Sequence, residues 1–153
     1  MMKIIRDDLS GDTIARFLQQ HIQDMQSVSP PESKHALDLD GLRQPDIQFW
    51  SVWLEDDLVG CCAIKQLTRT HGEIKSMRVA QQARNKGVAT FMLQHLIKHA
   101  DSCGLSRLSL ETGTMDFFAP ARRLYEKSGF VSCPPFAQYQ CDPNSCFYTL
   151  TLA

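Results

Sequence analysis

The chain has 153 residues, 43% of them apolar and 22% charged, which is the size and balance of one ordinary globular domain able to bury a core without metals or disulfides. Sixteen basic and seventeen acidic side chains leave a formal charge of −1. No global field therefore draws it to nucleic acid or to a membrane, and any anion site must be local.

Taken in chain order, residues 3–7 read as a first strand, and Ser10 or Asp12 as the cap of a helix whose apolar positions Ile14, Phe17, Leu18, Ile22 and Met25 recur at helical spacing. Pro30-Pro31 ends that helix, and Glu32 to Leu42 carries a second, shorter one before Pro45. Gln48–Leu54 and Leu58–Leu67 flank a tight turn at Glu55-Asp56-Asp57 and form a hairpin. After a break at Thr70-His71-Gly72, the alternating segment Glu73–Val79 is a strand. Ala89, Met92, Leu93, Leu96, Ile97 and Ala100 share one helical face, which stops at Gly104. Arg107–Glu111 is the next strand, and Ala119–Lys127 a helix with Pro120 in its first turn and Gly129 just past its end. Phe130–Val131 and Cys146–Leu152 close the sheet. The order β-α-α-β-β-β-α-β-α-β-β defines an α/β protein, a mixed sheet of six to seven strands with about four helices on both faces, in a single domain spanning 1–153.

The amino terminus goes straight to charged residues, with no apolar run of signal-peptide type, and no later segment reaches the roughly 20 apolar residues that span a bilayer, so the expected compartment is the cytoplasm. The six cysteines, Cys61, Cys62, Cys103, Cys133, Cys141 and Cys146, include no C-x-x-C pair and no histidine at zinc-ligand spacing, and no metal site is expected. Cys141 and Cys146 flank Asp142-Pro143-Asn144-Ser145, where a turn would bring two sulfurs together.

The informative segment is Glu73–Met92, a strand, a basic glycine turn and a helix. Such a turn offers backbone N–H groups and the positive end of a helix dipole to a phosphate; Gly87 allows close approach, and Arg84 and Lys86 add charge suited to a pyrophosphate. No G-x-G-x-x-G opens a βαβ unit and no G-x-x-x-x-G-K-S/T occurs, so dinucleotide and nucleoside triphosphate binding drop in rank.

Arg84-Asn85-Lys86-Gly87-Val88-Ala89 resembles the Q/R-x-x-G-x-G/A signature of the GCN5-related N-acetyltransferases, and Leu124-Tyr125-Glu126-Lys127-Ser128-Gly129-Phe130 is similar to that family's L-Y-x-x-x-G-F element. The resemblance covers residues 48–133 well and the ends by element order only. It implies an acetyl-CoA-dependent N-acetyltransferase, with the backbone of Met77 and Val79 pairing with the pantetheine arm, the turn Arg84, Asn85, Lys86, Gly87, Val88, Ala89 and Thr90 holding the pyrophosphate, and this strand splayed from its parallel neighbour. The acceptor would be a primary amine of a small molecule or peptide. Because such an amine is protonated at neutral pH, a base must act; the family's spacing makes Glu73 the candidate, with Glu111 a second. Tyr125 takes the position of the acid that protonates the CoA thiolate. Phe118 stands where many members carry an asparagine that contacts the cofactor, which leaves room for a non-catalytic acyl-CoA sensor. Glu32-Ser33-Lys34-His35, Phe49-Trp50 and Phe136–Phe147 fall where the family places its acceptor walls, and its members often pair as homodimers.

Overall fold

The computed structural model describes residues 1–28 and 39–152. Seven strands, β1 (Met2–Arg6), β2 (Ile47–Leu54), β3 (Asp57–Gln66), β4 (His71–Val79), β5 (Arg107–Gly113), β6 (Val131–Ser132) and β7 (Ser145–Thr151), form one sheet in the order β1-β2-β3-β4-β5-β7-β6. Among the described residues only β4 and β5 run parallel; every other neighbouring pair is antiparallel.

The helices are α1 (Asp12–Val28), α2 (Leu39–Leu42), α3 (Val88–Ser102) and α4 (Ala119–Lys127). Ile14 and Leu18 of α1 and Leu42 of α2 bury against Phe49, Cys61 and Ala63 on one face of the sheet. On the other face, Met92, Leu93 and Leu96 of α3 and Tyr125 of α4 pack over Trp50, Ile64, Ile74, Leu108 and Leu110. Strand alternation thus sends Ile74 to the α3–α4 core and leaves Glu73 and Lys75 on the opposite face. Among the described residues, no helix is long and apolar enough to cross a membrane.

Three local readings change. Ser10 does not cap α1: its hydroxyl donates to Asp8 Oδ1 at 2.6 Å, and the Gly11 carbonyl accepts the first helical N–H, from Ala15. The break expected at Thr70-His71-Gly72 lies earlier, and β4 begins at His71. Gly72 marks a close approach rather than a turn, since a Cβ there would sit 2.8 Å from Leu105 Cδ1. Phe49 and Trp50 are core residues, 2% and 3% exposed on opposite faces, not pocket walls; the Trp50 ring stands edge-on to His95 and His99 at 5.3 and 4.9 Å. The second helix expected over Glu32–Leu42 is described only at Leu39–Leu42; Pro30-Pro31, Glu32-Ser33-Lys34 and His35 lie outside the described residues.

None of the six cysteines is in a disulfide. Cys61 and Cys62 are buried, Cys141 is exposed, and Cys146 approaches the Gly113 carbonyl at 3.7 Å.

Candidate active site

The site grows out of the parallel pair. β4 and β5 stay in register for four residues, His71–Ile74 against Arg107–Leu110, and then diverge, leaving the β5 side of β4 without a strand partner as far as Val79. Between Lys75 and Arg78, β4 spends two residues, Ser76 and Met77, opposite the single residue Cys62 of β3. This is a β-bulge, with Ser76 in the left-handed region at φ 53° and its carbonyl accepting a hydrogen bond from Cys61 Sγ at 3.2 Å. A non-glycine residue held there costs on the order of 1 kcal/mol, and such strain gathers where backbone must be re-aimed at a ligand.

A cavity of about 600 Å³ fills the divergence, walled by the far halves of β4 and β5, the turn into α3, and α4. Met77, Val79, Arg84, Asn85, Gly87, Val88, Ala89 and Thr90 all line it; Lys86 is exposed and does not. The turn is tight, with Arg84 extended at φ −65° and both Asn85 and Gly87 in the left-handed region at +65° and +80°. The first-turn N–H groups of α3, Val88 to Thr90, have no carbonyl one turn back and point out of the helix start.

Tyr125 reaches the cavity from α4, where Pro120 opens the helix and Gly129, at φ 99°, follows its end. The ring is 6% exposed between Phe130 and Tyr148, and its hydroxyl donates to Met77 Sδ at 3.6 Å. Burial, reinforced by Cys62 and Glu111, pushes the phenol well above its usual range, so it stays protonated at neutral pH. Phe118 lines the cavity, and its ring covers the end of β5 so closely that a Cβ on Gly113 would lie 2.2 Å from Phe118 Cδ2.

Glu73 is 3% exposed, on the α1–α2 face where β4 and β5 part. Tyr139 Oη donates to Glu73 Oε2 at 2.5 Å, and Lys75 Nζ donates to the same oxygen at 3.3 Å and to Tyr139 Oη at 2.9 Å. Glu73 Oε1 accepts no hydrogen bond from a described residue. Tyr139 is held by Phe136 and Phe147 at 5.2 and 5.4 Å between ring centres, and by the Lys75 ammonium 5.6 Å over its ring. Its burial, with the Glu73 charge beside it, keeps the phenol protonated and therefore a donor. Glu111 lines the same cavity on the neighbouring strand and accepts a hydrogen bond from Ser145 Oγ at 2.7 Å.

Sequence reasoning named Glu73 and Tyr125 and missed Lys75 and Tyr139 as its companions. The Phe136–Phe147 segment does form a wall, of a second cavity of about 1070 Å³ that Glu73, Lys75 and Tyr139 also border. These three residues separate the two cavities.

A splayed parallel pair, a bulged strand and a glycine turn feeding a helix define an acyltransferase fold, and residues 14–130 match the family model described as "Acetyltransferase (GNAT) family". The chain belongs to that family and is an acetyltransferase. It is 52% identical over 151 residues to the uncharacterized N-acetyltransferase YsnE of Bacillus subtilis (strain 168), covering 99% of this chain and 100% of YsnE. It is 47% identical to the uncharacterized N-acetyltransferase YedL of Escherichia coli (strain K12), over 99% of this chain and 96% of YedL. Among solved structures, a Bacillus subtilis acetyltransferase in complex with CoA superposes with a TM-score of 0.70 at 17% identity, over 100% of both chains, a likeness of fold.

Proposed function

We propose that the protein transfers the acetyl group of acetyl-CoA to a primary amine of a small molecule or peptide, by direct attack within a ternary complex. The carrying observation is a buried carboxylate, Glu73, fixed through one oxygen with the other open, at the end of a slot that runs from the glycine turn past a protonated tyrosine.

In this reading the N–H groups from Asn85 to Thr90 and the Arg84 side chain hold the pyrophosphate, and the unpartnered edge of β4 at Met77 and Val79 pairs with the pantetheine. Glu73 Oε1 takes a proton from the incoming ammonium, directly or through a water, which frees the nitrogen lone pair to attack the thioester carbonyl. As the tetrahedral adduct collapses, the C–S bond breaks, Tyr125 gives its proton to the departing thiolate, and the surplus proton of the adduct nitrogen passes through water to restore the Tyr125 phenol. Lys75 and Tyr139 keep Glu73 Oε2 occupied, so the carboxylate cannot rotate away from the amine. Glu111, which lines the same cavity and accepts from Ser145 Oγ, is the second candidate base.

The test is free-thiol release from acetyl-CoA with a panel of amines, beside calorimetric binding of acetyl-CoA. Amine-dependent release supports the transferase; binding without release across the panel would leave an acyl-CoA sensor.

A further inference from the structure

The large apolar side chains left exposed among the described residues are Met1, Ile5, Phe117 and Val131. Ile5 and Val131 belong to the two edge strands, and Met1 precedes one of them. Phe117 is different: it is 47% exposed and lines the cavity of the candidate active site.

Its place along that cavity follows from the parallel pair. Ile74 and Leu110 are the last paired residues of β4 and β5, so beyond them β5 continues to Gly113 while β4 continues to Val79 and the turn into α3. Phe117 follows the end of β5 and therefore stands at the glycine-turn end of the cavity, away from Glu73, Lys75 and Tyr139. The segment that carries it is fixed. Arg122 Nη1 donates to the carbonyls of Gly113 at 2.7 Å and Met115 at 3.0 Å, and Thr114 Oγ1 donates to the Pro143 carbonyl at 2.8 Å. The Phe118 N–H donates to the Met115 carbonyl at 2.9 Å and closes the single 3-10 turn Asp116–Phe118. Two neighbouring aromatics are split by that turn. Phe118 is 8% exposed and seated on Gly113, whereas Phe117 stays open, its ring centre 5.0 Å from that of Phe118 at 86°. A ring already held in place loses little further freedom when a flat ligand covers it.

We infer that Phe117 is the stacking platform for the adenine of CoA. The inference rests on the acyl-CoA reading and names the residue that holds the nucleotide end of that same cosubstrate. A CoA chain laid along the β4 edge to a pyrophosphate at the glycine turn leaves its adenosine beyond that turn, at the end of the cavity where Phe117 stands. Adenine presents a flat π-face that covers an exposed aromatic ring and removes both from water. The pantetheine arm has no such group.

The experiment measures binding by calorimetry for CoA, dephospho-CoA and 4′-phosphopantetheine, in the wild type, Phe117→Ala and Phe117→Trp. Loss of one base–aromatic stack raises the Kd of Phe117→Ala for CoA and for dephospho-CoA by roughly ten-fold. Phosphopantetheine, which lacks the adenine, binds Phe117→Ala as it binds the wild type, and this also shows that the variant is folded. Phe117→Trp keeps the wild-type affinity for CoA or exceeds it. Equal losses for CoA and phosphopantetheine would place Phe117 against the arm, a loss confined to CoA would place it against the 3′-phosphate, and no loss would leave it a surface residue. Any of the three overturns the inference while the transferase stands; if the wild type binds neither CoA nor phosphopantetheine, both fall.

Discussion

Replacing Tyr139 with phenylalanine isolates one hydroxyl. The ring contacts with Phe136 and Phe147 persist, and the substitution removes the Oη that donates to Glu73 Oε2 at 2.5 Å and accepts from Lys75 at 2.9 Å. A hydrogen bond to a charged partner contributes about 1.5–3 kcal/mol, but Lys75 keeps its 3.3 Å contact with Glu73, so the loss falls toward the lower end. If that energy fixes the carboxylate for proton transfer, kcat drops roughly 10-fold, since each 1.4 kcal/mol is a factor of ten. The acetyl-CoA KM stays put, because Tyr139 bonds Glu73 and Lys75 at the opposite end of the cavity from the turn proposed to hold the pyrophosphate. Steady-state thiol release at saturating acetyl-CoA, with urea unfolding alongside, separates the cases. A loss of stability of about 1–2 kcal/mol with unchanged kcat would make Tyr139 a packing residue only and refute the positioning argument.

Tyr125→Phe removes the proposed acid without opening a cavity; kcat should fall about 10²-fold while acetyl-CoA affinity by calorimetry is retained, and an unchanged kcat would reassign the proton. At Gly87 a Cβ has open space, so Gly87→Ala strains only the backbone at φ 80°: stability falls by about 1 kcal/mol and the acetyl-CoA Kd rises, whereas loss of stability alone would detach the turn from the pyrophosphate. His21 lies 8% exposed beside Arg78 and Asp24, and burial holds its pKa down to about 4 from 6.5. The unfolded chain then binds the extra proton first, so stability is full above pH 6.5 and is lost as pH falls toward 4, by roughly 3 kcal/mol for this group. His71, His95 and His99 shift in the same direction, so His21→Leu should shrink the slope of unfolding free energy across that window by one proton's share rather than abolish it.

The order of elements was readable because its punctuation is local: Pro120 and Gly129 bracket α4, and the apolar face from Met92 to Leu96 follows a left-handed glycine into α3. The proposed catalytic constellation was half readable. Glu73 and Tyr125 sit in motif segments, but the partner of Glu73 lies 66 residues away on a loop, and their meeting depends on Phe136 and Phe147 packing that loop against β5 and β7. Nothing in Gln138-Tyr139-Gln140 marks it beforehand. The bulge was equally hidden: Ser76 looks like any strand residue, and its left-handed conformation follows from fitting two residues opposite Cys62. Phe49 and Trp50 misled because an aromatic pair on a strand fits a pocket wall as readily as two cores, and only a sheet covered on both faces decides between them. The departure at Phe118 was legible as a change of residue, but its consequence, an apolar plug seated on Gly113, required the fold.

If Glu73 deprotonates the acceptor inside a ternary complex, Glu73→Gln is the decisive variant, because it keeps size and hydrogen bonding to Tyr139 but removes the basic oxygen. Acetyl-CoA binding should match the wild type while amine-dependent thiol release at neutral pH falls by about 10²-fold or more. Thiol release by Glu73→Gln within a few-fold of the wild type at saturating amine would mean that Glu73 is not the base and that Glu111 or solvent takes the proton.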